Sequence, residues 1–502
     1  MPSSSLNATR RDRDLAELAE QGTVDVLVVG GGITGAGVAL DAASRGMTVA
    51  LAEKHDLAFG TSRWSSKLVH GGLRYLASGN VGIAHESAVE RGILMDRTAP
   101  HLVRPLPQLV PLLPAVGAAQ TALVRGGFLA GDVLRRTAGT RASSLPRSRR
   151  VAAAEALRMA PGVRRDGLRG GLLAWDGQLV DDARLVVALA RSAAAHGARI
   201  LTRCTAEQVT GRSAVLRDGL TDETVDVSAR TVINATGVWA DEIAPGLSLR
   251  PSRGTHLVVD DSSFGGLDAG LTVPIPGTTN RFALALPAGD GRAYIGLTDE
   301  EVPGPVPDVP QAAEHEIDFL LETINTVLTT PLSRADVLGT YSGLRPLLDS
   351  GDGNSADISR HHSVLTADNG VISVVGGKLT TYRKMAQDAT DTAVRASGIT
   401  AASCRTRRLP LVGAASRVAL SQVDAPRRLV DRYGTEATTV ATGDLRPIAD
   451  GIDVSSAELR FAVGHEGALD VEDLLDRRTR IGLVPADRER AAPAANAALT
   501  HA

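Results

Sequence analysis

Gly30, Gly32 and Gly35 stand at G-x-G-x-x-G spacing, directly after an apolar run from Val24 to Val29. These residue types in this order suit one task, the binding of a pyrophosphate. Gly30 permits a tight turn, Gly32 lets the backbone approach the anion, and Gly35 allows a helix to pack closely on the strand before it. A helical run from Gly35 to Ser44 would set its unpaired N–H groups and positive end against the phosphates. Ile33 and Thr34, inside the turn, belong to the same contact. Met47 to Ala52 is a second apolar strand and ends in Glu53, near the spacing of about 20 residues expected for a ribose-binding acid. A carboxylate there accepts hydrogen bonds from a ribose hydroxyl and repels a 2′-phosphate, which argues against NADP. The unit binds an ADP moiety. NAD and FAD both carry one, and this stretch alone leaves the choice open.

The surrounding chain must hold that turn in place. Two further strand–glycine turns occur, Thr231 to Gly237 (TVINATG) and Val371 to Val375 running into GGKLTTYRKMAQDA. Helices are expected over 83–97, 182–196, 311–328 and 456–478, and a helix rich in small apolar residues over 116–136. Arg199–Val209, Ser213–Arg217 and Thr224–Ser228 read as short strands. Residues 253–300 alternate short apolar runs with Gly, Pro and Asp, the pattern of an antiparallel sheet. Residues 101–114 contain four prolines and read as an irregular connection. These elements divide the chain into a polar N-terminal extension (1–22, flexible or helical), three segments of a dinucleotide-binding domain (23–100, 171–245, 341–395), a connection with a membrane-proximal helix (101–170), a substrate domain (246–340) and a helical C-terminal domain (400–502).

At 502 residues there is room for two or three domains. The net charge of −3 and the 3% aromatic content give neither a global attraction for nucleic acid nor a stacking surface, so no nucleic-acid partner is expected. Cys204 and Cys404 form no CxxC or metal spacing and suit a reducing, cytoplasmic setting. No signal peptide or spanning segment is apparent. The helix over 116–136 is followed by six arginines and no acid in residues 135–150. That pairing reads either as an interfacial membrane contact or as a core helix with a solvated loop. His361 and His362 lack acid or cysteine partners at ligand spacing, and no metal is assigned.

Three glycine turns are more than a nicotinamide fold requires, whereas a long flavin needs backbone contact along its length. The motifs SSKLVHGGLRYL (Ser65 to Leu76), NATGVWAD (Asn234 to Asp241), GTHLVV (Gly254 to Val259), TYSGLRPLL (Thr340 to Leu348) and GGKLTTYRKMA (Gly376 to Ala386) narrow it further. Together they resemble the FAD-dependent glycerol-3-phosphate dehydrogenase family, of the aerobic, quinone-linked type, over Val24 to Ala386. Glu458 to Leu483 resembles that family's helical cap. The fold expected is α/β, a Rossmann-like FAD-binding domain interrupted by an antiparallel-sheet substrate domain, with a C-terminal helical cap domain.

The resemblance implies FAD as cofactor, sn-glycerol 3-phosphate as substrate and a quinone as acceptor, with homodimerisation and peripheral contact with the inner face of the cell membrane as further expectations. It places Arg74, Tyr75, His256, Arg345, Arg360 and Lys378 around the substrate. Arginine suits a phosphate dianion, which cannot enter a partly dry site unpaired. His256 is the candidate base, since an imidazole pKa near 6.5 suits proton abstraction. Arg345 would also stabilise a developing alkoxide, and Lys378 would serve flavin and substrate alike. Flavin contacts fall to Gly30, Gly32, Ile33, Thr34, Gly35, Glu53, Thr61, Ser62, Ser65, Ser66, Lys67, His70, Gly71, Gly72, Leu73, Ala235, Thr236, Gly237, Trp239, Gly343, Arg345, Gly377, Lys378, Leu379 and Thr380. GLTD (Gly296 to Asp299) departs from the family's usual second threonine. Residues 101–145 are less basic and less aromatic than the membrane-facing region of some relatives, which leaves the acceptor open between a quinone and oxygen. A non-enzymatic flavoprotein sensing redox state is a further reading, against which the charged residues Arg345, Arg360 and Lys378 argue.

Overall fold

The computed structural model describes residues 3–72, 80–278, 281–349 and 361–500. Among them the N-terminal segment resolves as a helix, α1 (Ala8–Gln21), capped by the Asn7 side chain and closed by Gly22 in the left-handed region. It is anchored rather than loose. Leu18 is fully buried, and the Arg11 guanidinium is buried against Asp218 and the Thr202 carbonyl.

The glycine turn grows from β1 (Thr23–Val29), whose residues from Val26 on are buried. β1 lies between β2 (Val49–Ala52) and β10 (Thr224–Asn234), both parallel to it. β7 (Arg199–Leu201) extends the sheet beyond β2, and β18 (Ile372–Val375) continues it beyond β10. β17 (Ser363–Thr366) pairs antiparallel with β18, and a hairpin of β8 (Cys204–Glu207) and β9 (Ser213–Asp218) edges β10. Strands buried on both faces read as continuous apolar runs, which is why VDVLVV and VALA were legible. Thr224–Ser228 and Thr231–Gly237, expected as two strands, form one. Helices α2 (Ile33–Ser44), α5 (Asp182–Ala195) and α7 (Tyr382–Ser397) cover this sheet. A Cβ on Gly37 would come within 3.1 Å of the Tyr382 ring, so that glycine sets how closely α2 and α7 approach.

A second, mixed sheet runs β15 (Glu300–Glu301), β11 (Leu249–Asp260), β14 (Arg292–Gly296), β13 (Phe282–Pro287), β12 (Gly270–Pro274), β4 (Val103–Pro111), β6 (Gly171–Leu179) and β3 (Leu68–Val69). β16 (Val337–Leu348) pairs with β11 and β5 (Arg149–Val151) with β6. One face is closed by α6 (Glu314–Asn325), whose Leu320, Leu321 and Ile324 pack on Leu257, Val259 and Ile295. Burying each such side chain contributes roughly 1.5–3 kcal/mol.

This sheet corrects two expectations. The irregular connection over 101–114 is strand β4, and β4, β6 and β16 belong to this sheet although their residues fell in segments assigned to the connection and to the dinucleotide domain. The prolines misled. Pro105 and Pro107 oppose Gly177 and Trp175 of β6, while β12 flanks β4 only at Gln108 and Leu109. The two prolines therefore sit where β4 has a free edge, a place that tolerates a missing N–H.

The helix expected over 83–97 forms with a widened last turn, and the one expected over 456–478 is broken. Residues 81–98 divide into α3 (Val81–Ile93) and a wide turn, Leu94–Thr98. Residues 456–478 divide into α8 (Ser456–His465) and a second wide turn, Asp473–Arg478, with Gly467 at φ +74 between them. The helix expected over 116–136 is α4 (Ala118–Thr137). The C-terminal domain ends in α9 (Pro485–Thr500), which packs Ala491 and Ala495 on Leu459 and Leu475.

Buried ion pairs tie that domain to the rest. Asp56 receives Arg477 Nε at 2.6 Å and the Arg478 guanidinium at 2.7 and 2.8 Å. Arg184 pairs in a two-toothed geometry with Glu466 at 2.7 and 3.1 Å.

Candidate active site

A cavity of about 1300 Å³ begins at the C-terminal end of β1 and runs between the two sheets. At its first end lie Gly30, Gly32, Ile33, Thr34 and Glu53. Gly30 has φ +109, and a Cβ on it would sit 2.7 Å from the Ala235 carbonyl oxygen. A Cβ on Gly35 would meet the Gly30 carbonyl oxygen at 1.9 Å. Gly35 therefore does not face the cavity; it acts by letting α2 start against the turn. Gly32 caps α2 without a side-chain bond, and the Ile33 N–H donates to Ser62 Oγ at 2.8 Å. Glu53 accepts from the N–H of Gly31 at 2.5 Å and of His55 at 2.8 Å. Burial raises its pKa above the ordinary carboxylate value, and the two backbone bonds act the other way.

The far end collects charge. Thr61, Ser62, Ser65, Ser66, His70, Ala235, Thr236, Gly237, Trp239, His256, Gly343, Arg345, Gly377, Lys378, Leu379 and Thr380 all line the cavity. His256 and Arg345 come from the paired strands β11 and β16, in which His256 opposes Tyr341 and Ser252 opposes Arg345. The His256 ring lies flat on Tyr341, 4.6 Å between centroids and 8° apart, with Nε2 2.8 Å from Ser66 Oγ. Its Nδ1 is buried with no hydrogen-bond partner among the described residues. A Cβ on Gly296, across in β14, would fall 2.2 Å from the imidazole, so a glycine is needed beside it. Burial, then the cations of Lys67 and Arg345, push the His256 pKa well below its ordinary value. The premise of a pKa near 6.5 does not hold here, and the ring is neutral.

Arg345 is held by Asp299 at 3.0 Å, by Ser252 Oγ at 3.1 Å and by the Thr298 carbonyl at 3.0 Å. Thr298 and Thr255 both donate to the buried Glu316, at 2.6 and 2.9 Å. The departure GLTD thus supplies the acid that orients Arg345. Neither Asp299 nor Glu316 was singled out by sequence, because their partners are remote in the chain. Lys378 donates to Ser87 Oγ at 2.8 Å.

Three expected cofactor contacts lie elsewhere. Lys67 is buried away from the cavity against Asp182. The Gly71 N–H donates to Asp176 Oδ1 at 3.0 Å, and a Cβ there would collide with Arg91. Gly72, at φ +78, is packed against Ala84. Leu73, Arg74, Tyr75 and Arg360 lie outside the described residues.

The residues present fit an extended dinucleotide. Side chains at Gly30 and Gly32 would crowd the cradle, the glycine-capped start of α2 suits a pyrophosphate, and the Glu53 carboxylate lines the same end of the cavity. The cavity then continues to the cations, far past a single nucleotide.

Comparison with known proteins agrees. Residues 25–383 match the family described as FAD dependent oxidoreductase, and residues 404–501 match the C-terminal domain of alpha-glycerophosphate oxidase. The chain is 62% identical to glycerol-3-phosphate dehydrogenase 1 of Mycobacterium tuberculosis, covering 97% of each chain. It is 34% identical to the aerobic glycerol-3-phosphate dehydrogenase of Staphylococcus epidermidis, over 86% of this chain and 81% of that one. Among solved structures, the glycerol-3-phosphate dehydrogenase from Bacillus halodurans complexed with FAD superposes with a TM-score of 0.75 at 27% identity, covering 99% of this chain and 94% of that one. With matching families over both parts and a 62% identical relative end to end, the chain belongs to the FAD-dependent glycerol-3-phosphate dehydrogenase family, and its cofactor is FAD.

Proposed function

We propose that this protein oxidises sn-glycerol 3-phosphate to dihydroxyacetone phosphate and passes the electrons to a quinone at the cytoplasmic face of the cell membrane. The observation that carries the reading is that His256, Arg345 and Lys378 line the same cavity as the nucleotide turn. FAD, when bound, supplies the two-electron acceptor for the carbon-bound hydrogen. The chain supplies the rest. Arg345 and Lys378 bind and orient the phosphate dianion, and the Asp299 clamp fixes the Arg345 guanidinium before substrate arrives. His256 accepts the hydroxyl proton at Nε2, in place of the Ser66 hydroxyl that bonds there. A phosphate on Arg345 offsets one of the cations that depress the imidazole, so its proton affinity rises as substrate binds.

Two features support a membrane-borne acceptor. The mycobacterial relative bears the name dehydrogenase, and α4 borders the cavity through Ala122, Gly126 and Phe128 while Leu129 and Val133 stand exposed. Arg136, Arg141, Arg147, Arg149 and Arg150 follow on the same stretch, and such a pairing suits an anionic interface. No described helix is long and apolar enough to cross a membrane. Oxygen is the second reading, favoured by the C-terminal match to an oxidase family.

Anaerobic stopped-flow decides. Bleaching of the flavin on mixing with sn-glycerol 3-phosphate is expected, and its absence overturns the substrate assignment. Rapid reoxidation by a quinone analogue and slow reoxidation by air are expected next; the reverse order makes the protein an oxidase.

A further inference from the structure

Lys67 is the one expected flavin contact that carries a charge and yet points away from the cavity. Its backbone adopts φ +56, a left-handed conformation that a side chain enters at a cost. The ammonium is buried, and Lys67 does not line the cavity. Its Nζ lies 3.4 Å from Asp182 and over the rings of Tyr341 and Tyr294, at 4.6 and 5.2 Å. Asp182 also accepts from the N–H and Oγ of Ser65, at 2.9 and 2.7 Å. The Tyr341 hydroxyl donates to the Ser65 carbonyl at 3.2 Å. Both faces of the arrangement end on one residue. Tyr341 is the ring on which His256 stacks, and Ser66, the next residue after Ser65, bonds its Nε2.

We infer that Lys67, set over the Tyr341 ring, and its partner Asp182 form the charged support that orients His256 and sets its proton affinity. Lys67 is a positioning residue, since it reaches neither cavity nor substrate. Its ammonium holds the Tyr341 ring by cation–π attraction, which strengthens where water is excluded. Asp182 keeps that ammonium charged and fixes the Ser65–Ser66 turn at the same time. The groups facing Lys67 are Asp182 and Asp181 on α5, Arg480 of the C-terminal domain, Tyr294 on β14 and Tyr341 on β16. Those facing His256 are Lys67, Arg345 and Asp182. Burial lowers the Lys67 pKa to about 8, so the ammonium persists at neutral pH and discharges above it. While charged it adds to burial in holding down the proton affinity of the neighbouring imidazole.

The inference rests on His256 as the base proposed above, but its test does not. In FAD-loaded protein carrying histidine labelled at Cε1, NMR follows the His256 resonance against pH, assigned through His256→Gln. Lys67→Met is expected to raise the His256 midpoint by about one pH unit. Breaking a buried pair from one side leaves a lone charge and can prevent folding. Lys67→Met with Asp182→Asn leaves none, and there the midpoint still rises, by less, because the opposing carboxylate is gone too. A midpoint that stays in place in whichever of the two folds overturns the inference. The acid limb of flavin reduction by sn-glycerol 3-phosphate is expected to move with the midpoint. Absence of any reduction by that substrate would instead undo the substrate assignment, leaving the titration to judge Lys67.

Discussion

At the scale of single residues, the site works by clamping charged groups before substrate arrives. Arg345 is bonded to Ser252 on β11 and to Thr298 and Asp299 after β14, so its guanidinium is placed without waiting for the phosphate. Arg345→Ala is expected to slow flavin reduction by sn-glycerol 3-phosphate about a hundredfold, as loss of a charge-assisted contact to a dianion would. Flavin absorbance of the purified variant should be unchanged; loss of flavin would place Arg345 with the cofactor instead. Gly35 offers the opposite case. Because its Cβ would overlap the Gly30 carbonyl, Gly35→Ala must displace the start of α2. The expected result is protein purified with little or no FAD, and a normal flavin content would show that the turn adapts.

At the scale of elements, the paired strands β11 and β16 assemble the charged end. Their register decides which residues meet, and a one-residue slip would send His256 to the opposite face. The attachment of the C-terminal domain is likewise a matter of a few positions. Asp56 stands behind the nucleotide turn, fully buried, and satisfies Arg477 and Arg478 together. Asp56→Asn removes one charge from that cluster and leaves two guanidiniums short of an anion. A loss of about 3–5 kcal/mol is expected. Urea unfolding checks it, with the C-terminal domain becoming protease-sensitive at lower denaturant than in the wild type. An unchanged transition would mean the domain is held by its apolar contacts alone.

At the scale of the whole molecule, these buried pairs fix how stability responds to acid. The arginines hold Asp56, Glu458 and Glu466 below ordinary carboxylate values. Their contribution is complete above the unfolded range near pH 4, where the unfolded chain has released its protons too. It is lost as pH falls through the folded values, because the unfolded state then binds more protons. Asp473 runs the other way: its pKa is raised to about 6 by burial and by the charge of Asp56, so the folded state takes up a proton between that value and the ordinary one. The melting temperature is therefore expected to hold between pH 7 and 5 and to fall below about 4. Calorimetry at constant ionic strength tests this, and a steady decline from pH 7 downward would contradict it.

The local features of this protein were legible because their physics is local. Strand, glycine turn, helix and acid follow one another within Val24 to Glu53, and the close approach at Gly35 is to Gly30 of the same unit, although Gly30 itself is confined by Ala235 from a distant strand. Buried parallel strands announce themselves as unbroken apolar runs, and the long antiparallel stretch after β11 alternates as expected. Strand β4 was not legible, since its prolines signal a break unless the edge beside them is known to be free. Nor was the inner support of the site. Asp299 meets Arg345, Asp182 meets Lys67, and Asp56 meets Arg477 across separations that no spacing rule spans. Motif resemblance named Lys67 as a flavin contact, and with its backbone in the left-handed region its ammonium is buried against Asp182 and the Tyr341 ring. The sequence by itself determined the cofactor cradle and the kinds of charge at the site. Tertiary structure decided which charges are paired, which are buried, and which way each one faces, because burial and pairing are properties of chain segments brought together from afar.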